Sequence, residues 1–219
     1  MILARIKRRG AGTVVVPGDF LDLGSRQAIG VALHRMEKSR ALRRLARGMY
    51  DVPVTDALLG TLSPTINAIT KALTHRDRIR LQPTGGYALN LLGLSEQVPA
   101  KVVFLTEGPS RLVKVGAMTI QLRHTTARNM ATAGRLSGLI IQAFRSLGKD
   151  HVTAERMAKL KQTIPLKDRH QLLKDLPLAP AWMHAHFREL AEVSPKMTED
   201  NRSYKSYATY LSFEKGSHR

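Results

Sequence analysis

Between residues 25 and 47 the sequence places Ser25, Arg26, Gln27, Gly30, His34 and Arg35, followed by Arg43, Arg44 and Arg47. Guanidinium groups bind phosphates and the acceptor edge of guanine, a glutamine amide pairs with adenine, and a glycine allows close backbone approach. This is recognition chemistry. Bond-making chemistry lacks its residues. His184 and His186 stand two apart, which sends them to different faces of a helix, so no metal site is expected. There is no cysteine, no nucleophile elbow and no local Ser-His-Asp signature. A nuclease needs paired carboxylates on adjoining strands, and the strand-forming stretches offer only Glu107, beside the turn-forming Gly108-Pro109. Thr84-Gly85-Gly86 lacks both the P-loop lysine and the spaced glycines of a dinucleotide site, and reads as a tight strand-to-helix turn. Neither catalytic residues nor a cofactor nor a metal is expected, and the chain reads as a non-enzyme.

Charge says what is recognised. Thirty-five Lys and Arg against 17 Asp and Glu leave a formal +18, a field that attracts polyanions. Residues 1–54 hold 11 basic and 4 acidic side chains, residues 55–149 hold 12 and 4, and residues 150–219 hold 12 and 9. Nucleic acid is therefore the leading partner, and the first two thirds of the chain carry the excess. Arg78, Arg80, Lys101, Arg111, Lys114 and Arg123 are the candidate contacts of the middle region. They keep structured RNA such as tRNA open as an alternative to double-stranded DNA. No apolar run approaches the ~18 residues of a membrane span, and no signal peptide opens the chain, so a cytoplasmic protein away from membranes is expected.

The elements that would hold these residues follow from periodicity. Leu3, Ile6 and Ile2 suggest a short first helix stopped by Gly10-Ala11-Gly12; Thr13–Val16 is β-branched and reads as a strand. Pro17-Gly18-Asp19 turns into a brief helix carrying Phe20 and Leu21. Ser25 caps the next helix, whose Ile29, Ala32, Leu33 and Met36 face inward and whose Arg26, Gln27, Gly30, His34, Arg35 and Lys38 face outward. Residues 42–45 and 49–52 form a basic hairpin around Ala46-Arg47-Gly48. The order of these parts resembles a winged helix-turn-helix, spanning residues 1–54.

Residues 55–219 read as a second α+β domain with a mainly antiparallel sheet and a helical C-terminal region. Thr55–Thr61 looks like a linker. A helix follows Ser63-Pro64, and the strands expected are 78–82, 101–106, 111–115 and 118–123, the last three joined as successive hairpins. Helices are expected near 126–147, 153–162, 166–175 and 180–192. A polar tail with Tyr204, Tyr207 and Tyr210 follows.

Two stretches carry a family resemblance. Residues 17–26 (PGDFLDLGSR) with 41–53 (ALRRLARGMYDVP) resemble the winged-helix region of the AbiEi-like antitoxins of type IV toxin-antitoxin, or abortive-infection, systems. Residues 82–95 (QPTGGYALNLLGLS) and 99–111 (PAKVVFLTEGPSR) are similar to the domain that follows it. The resemblance covers about residues 1–145. It implies an autorepressor that binds its own operon promoter, at inverted repeats, and counters a nucleotidyltransferase toxin without forming a stable complex with it. Arg26, Gln27 and Gly30 would read DNA, and Arg43, Arg44 and Arg47 would anchor it. The short first helix departs from the pattern and leaves the first layer of the DNA-binding domain thin. A metal-dependent nuclease on the same scaffold is the remaining, weaker alternative.

Overall fold

An apolar pair one turn apart, Ile2 and Ile6, starts the fold. In the computed structural model, which describes residues 1–97, 101–116 and 118–192, these residues lie in helix α1 (Ile2–Arg9). Ile6 is buried, but Leu3 is 39% exposed. The inward stripe is thus Ile2–Ile6 without Leu3, because residues four apart nearly superpose while Leu3 sits about 100° round from Ile2. Strand β1 (Val14–Val15) leads into a 3-10 turn, Pro17–Phe20, that buries Phe20 and leaves Leu21 exposed.

Asp19 organises this turn. Its carboxylate accepts the Val16 N–H (2.8 Å) and pairs with Arg9 (3.3 Å). Its carbonyl accepts from Arg5, which also forms a two-pronged bond to Asp22 at 2.6 and 2.7 Å. Helix α2 (Arg26–Lys38) then begins on Ser25, whose hydroxyl oxygen accepts the Ala28 N–H. Ile29 and Leu33 bury its inner face, whereas Ala32 and Met36 are only half-buried.

Strands β2 (Arg43–Ala46) and β3 (Met49–Asp51) form the expected hairpin, and β1 adds to it, giving an antiparallel sheet in the order β1-β3-β2. Gly48, at φ +65, takes the left-handed backbone that closes the hairpin. Ile6, Val15, Phe20, Ile29, Leu33, Leu42 and Tyr50 make one core, with Ile2 packed against it. This is the winged-helix arrangement, and the architecture of the chain is α+β.

Residues 55–61 are not a linker. They belong to a second hairpin, β4 (Val54–Asp56) and β5 (Gly60–Leu62), which turns because the Asp56 carboxylate accepts the N–H groups of Leu58 and Leu59 (2.8 and 2.9 Å). These two bonds also hold the Asp56 carboxyl below its ordinary pKa. Helix α3 (Ile66–Asp77), capped by Thr65, packs on β1 and the Pro17–Phe20 turn. His75 closes that contact with its Nδ1 3.0 Å from the Asp19 carboxylate. The first compact unit consequently runs from Met1 to Ile79 instead of ending near residue 54, and it includes Val113–Thr119, where the Gly116 N–H meets the Leu45 carbonyl.

The second unit comprises Arg80–Leu112 and the chain from Ile120 onward. The strand expected at 78–82 is displaced: Arg78 adopts a left-handed backbone (φ 53) that ends α3, and β6 covers Gln82–Thr84. Helix α4 (Gly85–Leu91) follows at once. Strands β7 (Val102–Thr106), β8 (Arg111–Val115) and β9 (Met118–His124) are found, but not as successive hairpins. The sheet order is β6-β7-β9-β8, with β7 parallel to β9 and β6 antiparallel to β7. The parallel register sets Val102 beside Ile120 and Phe104 beside Leu122, so that all four buried residues share one face.

The long helix expected over 126–147 is two, α5 (Ala127–Met130) and α6 (Leu136–Leu147). Helices α7 (Ala154–Thr163), α8 (Leu166–Lys174) and α9 (His184–Ala191) complete the helical part. Tyr204, Tyr207 and Tyr210 lie outside the described residues. α6 is buried along most of its length and packs against β6 and α4. Its approach is closest at Gly138, where a Cβ would stand 2.2 Å from the Thr132 carbonyl oxygen and 2.8 Å from Gln82 Oε1.

Two outcomes are expected. Gly138→Ala should destabilise the protein by about 3 kcal/mol, since backbone and a buried amide must shift to admit one methyl; an unchanged thermal midpoint would show that α6 does not sit so close. The second concerns Tyr87, whose ring meets Phe104 edge-on at 5.5 Å and whose phenol burial pushes up to about 12. The unfolded phenol titrates near ~10. The folded state therefore keeps its proton longer, and this contribution is complete below pH ~10 and lost as pH rises towards 12. Urea midpoints from pH 8 upward should fall in this window for wild type and fall less for Tyr87→Phe; identical slopes would refute the assignment.

Candidate nucleic-acid interface

Because Ile29 and Leu33 fix which side of α2 is buried, its other side is fixed too. Arg26, Gln27, His34, Arg35 and Lys38 are exposed, as expected. Gly30 is half-buried, and nothing lies within 4 Å of the place its Cβ would take, so it opens on the same free surface. The side chains of Arg26, Gln27, Arg35 and Lys38 have no hydrogen bond or ion pair among the described residues; His34 lies 3.1 Å from Glu37. A shallow groove of about 480 Å³ runs along this side, lined by Ser25, Gln27, Ala28, Val31, Ala32 and Arg35. Val31 escaped the sequence reading. It is an apolar residue 47% exposed among cations, suited to a thymine methyl rather than to the core.

The three wing arginines separate into two kinds. Arg43 stands opposite Asp51 in the β2–β3 register and grips its buried carboxylate with two bonds, at 2.5 and 3.0 Å. The same guanidinium donates to the Leu62 carbonyl at 2.8 Å. The Asp51 carboxylate raises the Arg43 pKa further, and this side chain is occupied within the fold rather than offered to a partner. Arg44 and Arg47 are exposed and have no partner for their guanidinium groups among the described residues. The wing backbone is held meanwhile: Arg76 of α3 donates to the Arg47 carbonyl at 2.8 Å.

The six candidate cations of the middle region are divided between the two units. Arg78 and Lys114 belong to the first unit, and Arg80, Lys101, Arg111 and Arg123 to the second. Arg80 is paired with Glu107 at 2.5 Å. Lys101, Arg111 and Arg123 are exposed, the last at the carboxyl end of β9. His184 is bound to the Ala179 carbonyl and His186 packs edge-on against Phe144. Among the described residues no group of three His, Asp or Glu side chains is placed to hold a metal ion, and no helix is long and apolar enough to cross a membrane.

Fold and surface define a two-unit α+β protein that opens with a winged helix whose second helix presents an unpaired cationic side. The chain belongs to DUF6088, a family of unknown function, whose model matches residues 1–172. No curated protein matches the chain, and no solved structure does.

Arg43→Ala should strand the buried Asp51 carboxylate and cost about 2 kcal/mol, below the full figure for a buried pair because Arg43 is itself a third exposed. Arg44→Ala should leave the melting temperature within a degree or so of wild type. If calorimetry finds the two variants equally stable, the division between them is wrong.

Proposed function

We propose that the protein binds duplex DNA through α2 and the wing, and that it is the transcriptional autorepressor and antitoxin of a type IV toxin-antitoxin system, countering a nucleotidyltransferase toxin. The observation that carries the DNA half is the free side of α2. Four hydrogen-bonding side chains, Arg26, Gln27, Arg35 and Lys38, stay unpaired on a helix whose other side is locked in the core. Arg26 and Gln27 lie in the first turn, the part of a recognition helix that meets base edges in the major groove. Arg44 and Arg47 hold phosphates or enter a minor groove.

The antitoxin half rests on the resemblance of residues 17–26, 41–53 and 82–111 to AbiEi-like proteins. On this reading the protein works in the cytoplasm by binding and not by catalysis, its operator is an inverted repeat in its own promoter, and it opposes the toxin without a lasting complex. Competition between DNA and RNA tests the reading against the alternative in which structured RNA is the partner.

With a duplex from its own promoter, Arg26→Ala should narrow the preference over scrambled duplex by about tenfold, whereas Arg44→Ala should weaken all duplexes alike and reduce the salt slope by about 1. Electrophoretic mobility shifts at two salt concentrations, with tRNA as competitor, provide the measurement. Displacement by tRNA as effective as by promoter duplex, or indifference of binding to both substitutions, would overturn the proposal.

A further inference from the structure

The sheet of the second unit has one face that is polar where it should be greasy. Alternation along β6, β7 and β9 places Gln82, Thr84, Val103, Leu105, Gln121 and Arg123 on that face, opposite the buried Phe104 and Leu122. α6 covers the face over β6. Towards β9 it stays open, as a cleft of about 310 Å³ at the carboxyl ends of the parallel pair β7 and β9. Open sheets with parallel strands bind small ligands at that end, and the size is at the lower range of ligand sites.

The lining of the cleft has a definite chemistry. Its rim carries Arg123, His124 and Arg145, and no carboxylate lines it. Arg123 has no partner among the described residues. Arg145 donates to the Asn129 side-chain oxygen at 3.1 Å, a neutral acceptor that leaves its charge uncompensated. His124 holds its Nδ1 3.1 Å from the Gly108 carbonyl, which only a protonated Nδ1 can bond, and this leaves Nε2 as the ring's second polar atom. The nearest acid along β7, Glu107, is already taken by Arg80.

The floor carries an independent sign. Gln142 is 3% exposed, and its Oε1 accepts from the Thr84 hydroxyl at 3.1 Å. Its amide nitrogen has no partner among the described residues, yet it is not among the sealed-off polar atoms. A buried carboxamide whose donor end is unfilled and which lines the cleft is costly unless something accepts from it.

From these features we infer that the cleft is a binding site for a nucleoside phosphate, a phosphomonoester with a hydrogen-bonding sugar or base. The phosphate lies between Arg123 and Arg145, with His124 beside it, and the uncharged part meets the Gln142 amide. Two guanidinium groups without a competing carboxylate suit a dianion, and a donor recessed behind them suits a carbonyl or hydroxyl attached to it. The site lies wholly in the second unit and does not depend on DNA binding by α2. The ligand has two possible sources, a free mononucleotide or the phosphorylated end of a strand.

Isothermal titration of the full chain tests this. The probes are AMP, GMP, CMP, UMP and inorganic phosphate, together with a hexanucleotide carrying either a 5′-phosphate or a 5′-hydroxyl. At least one mononucleotide, or the 5′-phosphorylated hexamer, should bind once per chain and more tightly than inorganic phosphate. Affinity should drop at least tenfold in Arg123→Gln and in Arg145→Gln, both exposed positions, and not in Arg44→Ala. Tighter binding of the mononucleotide than of the hexamer assigns the free nucleotide; a preference for the 5′-phosphorylated over the 5′-hydroxyl hexamer, with weak mononucleotides, assigns the strand end. The inference is overturned if none of the nucleotides binds, if inorganic phosphate binds as well as any of them, or if Arg44→Ala reduces binding as much as the cleft variants do.

Discussion

The Asp19 carboxylate is the point on which the N-terminal unit turns. It receives the Val16 N–H from its own 3-10 turn, Arg9 from α1 and His75 from α3, while the adjacent carbonyl takes Arg5. Two separate helices, α1 and α3, are thereby tied to the short segment that delivers the chain to α2. Phe20, the next residue, is buried beneath, with the Arg9 guanidinium 5.7 Å over its ring. The orientation of α2 follows from this knot together with the packing of Ile29 and Leu33. The short α1 is sufficient because it does not stand alone. α3, from beyond the expected boundary of the domain, packs on β1 and on the same Pro17–Phe20 turn that α1 grips through Arg5 and Arg9.

Within that unit the arginines divide by what lies across from them. Arg43, Arg5 and Arg76 are spent on Asp51, Asp22 and Asp77, and serve to fix strands and turns. Arg26, Arg35, Arg44 and Arg47 are left over. A basic protein with few acids uses those acids where geometry is critical, and its recognition surface is the remainder. Neighbouring arginines in one strand, Arg43 and Arg44, have opposite roles because successive side chains point to opposite faces and only one face meets Asp51.

That division marks the limit of what could be read in the sequence. The helical period of α2, the Ser25 cap and the Gly48 turn are local, and they were legible. So was the outward side of α2, since it is the complement of an apolar stripe. Arg43 could not be distinguished from Arg44, because its partner lies across a hairpin. The β4–β5 hairpin was hidden because its turn is made by one aspartate side chain, in a stretch whose Leu58 and Leu59 are largely exposed instead of packed. In the second unit β7, β8 and β9 were visible as apolar runs whereas β6, Gln-Pro-Thr, was not, and the pairing was hidden altogether: nothing local tells β7 to choose β9 over its immediate successor β8. The cleft was hidden for the same reason. Arg123 stood out only as one cation among six, Asn129, Gln142 and Arg145 are unremarkable singly, and the four converge only after β9 and α6 are placed.

The parallel pairing of β7 with β9 also governs the order in which the sheet can assemble. β8 and β9 are close in sequence and neighbours in the sheet, and hairpins between such strands form on the microsecond scale. Pairing of β7 with β9, by contrast, encloses β8 in the connecting loop, so the contact of Val102 with Ile120 carries a larger loop-closure cost than the β8–β9 pairing. It is this slower pairing, and not the local one, that covers the second edge of β7, and an uncovered apolar strand edge is the feature by which chains misassociate.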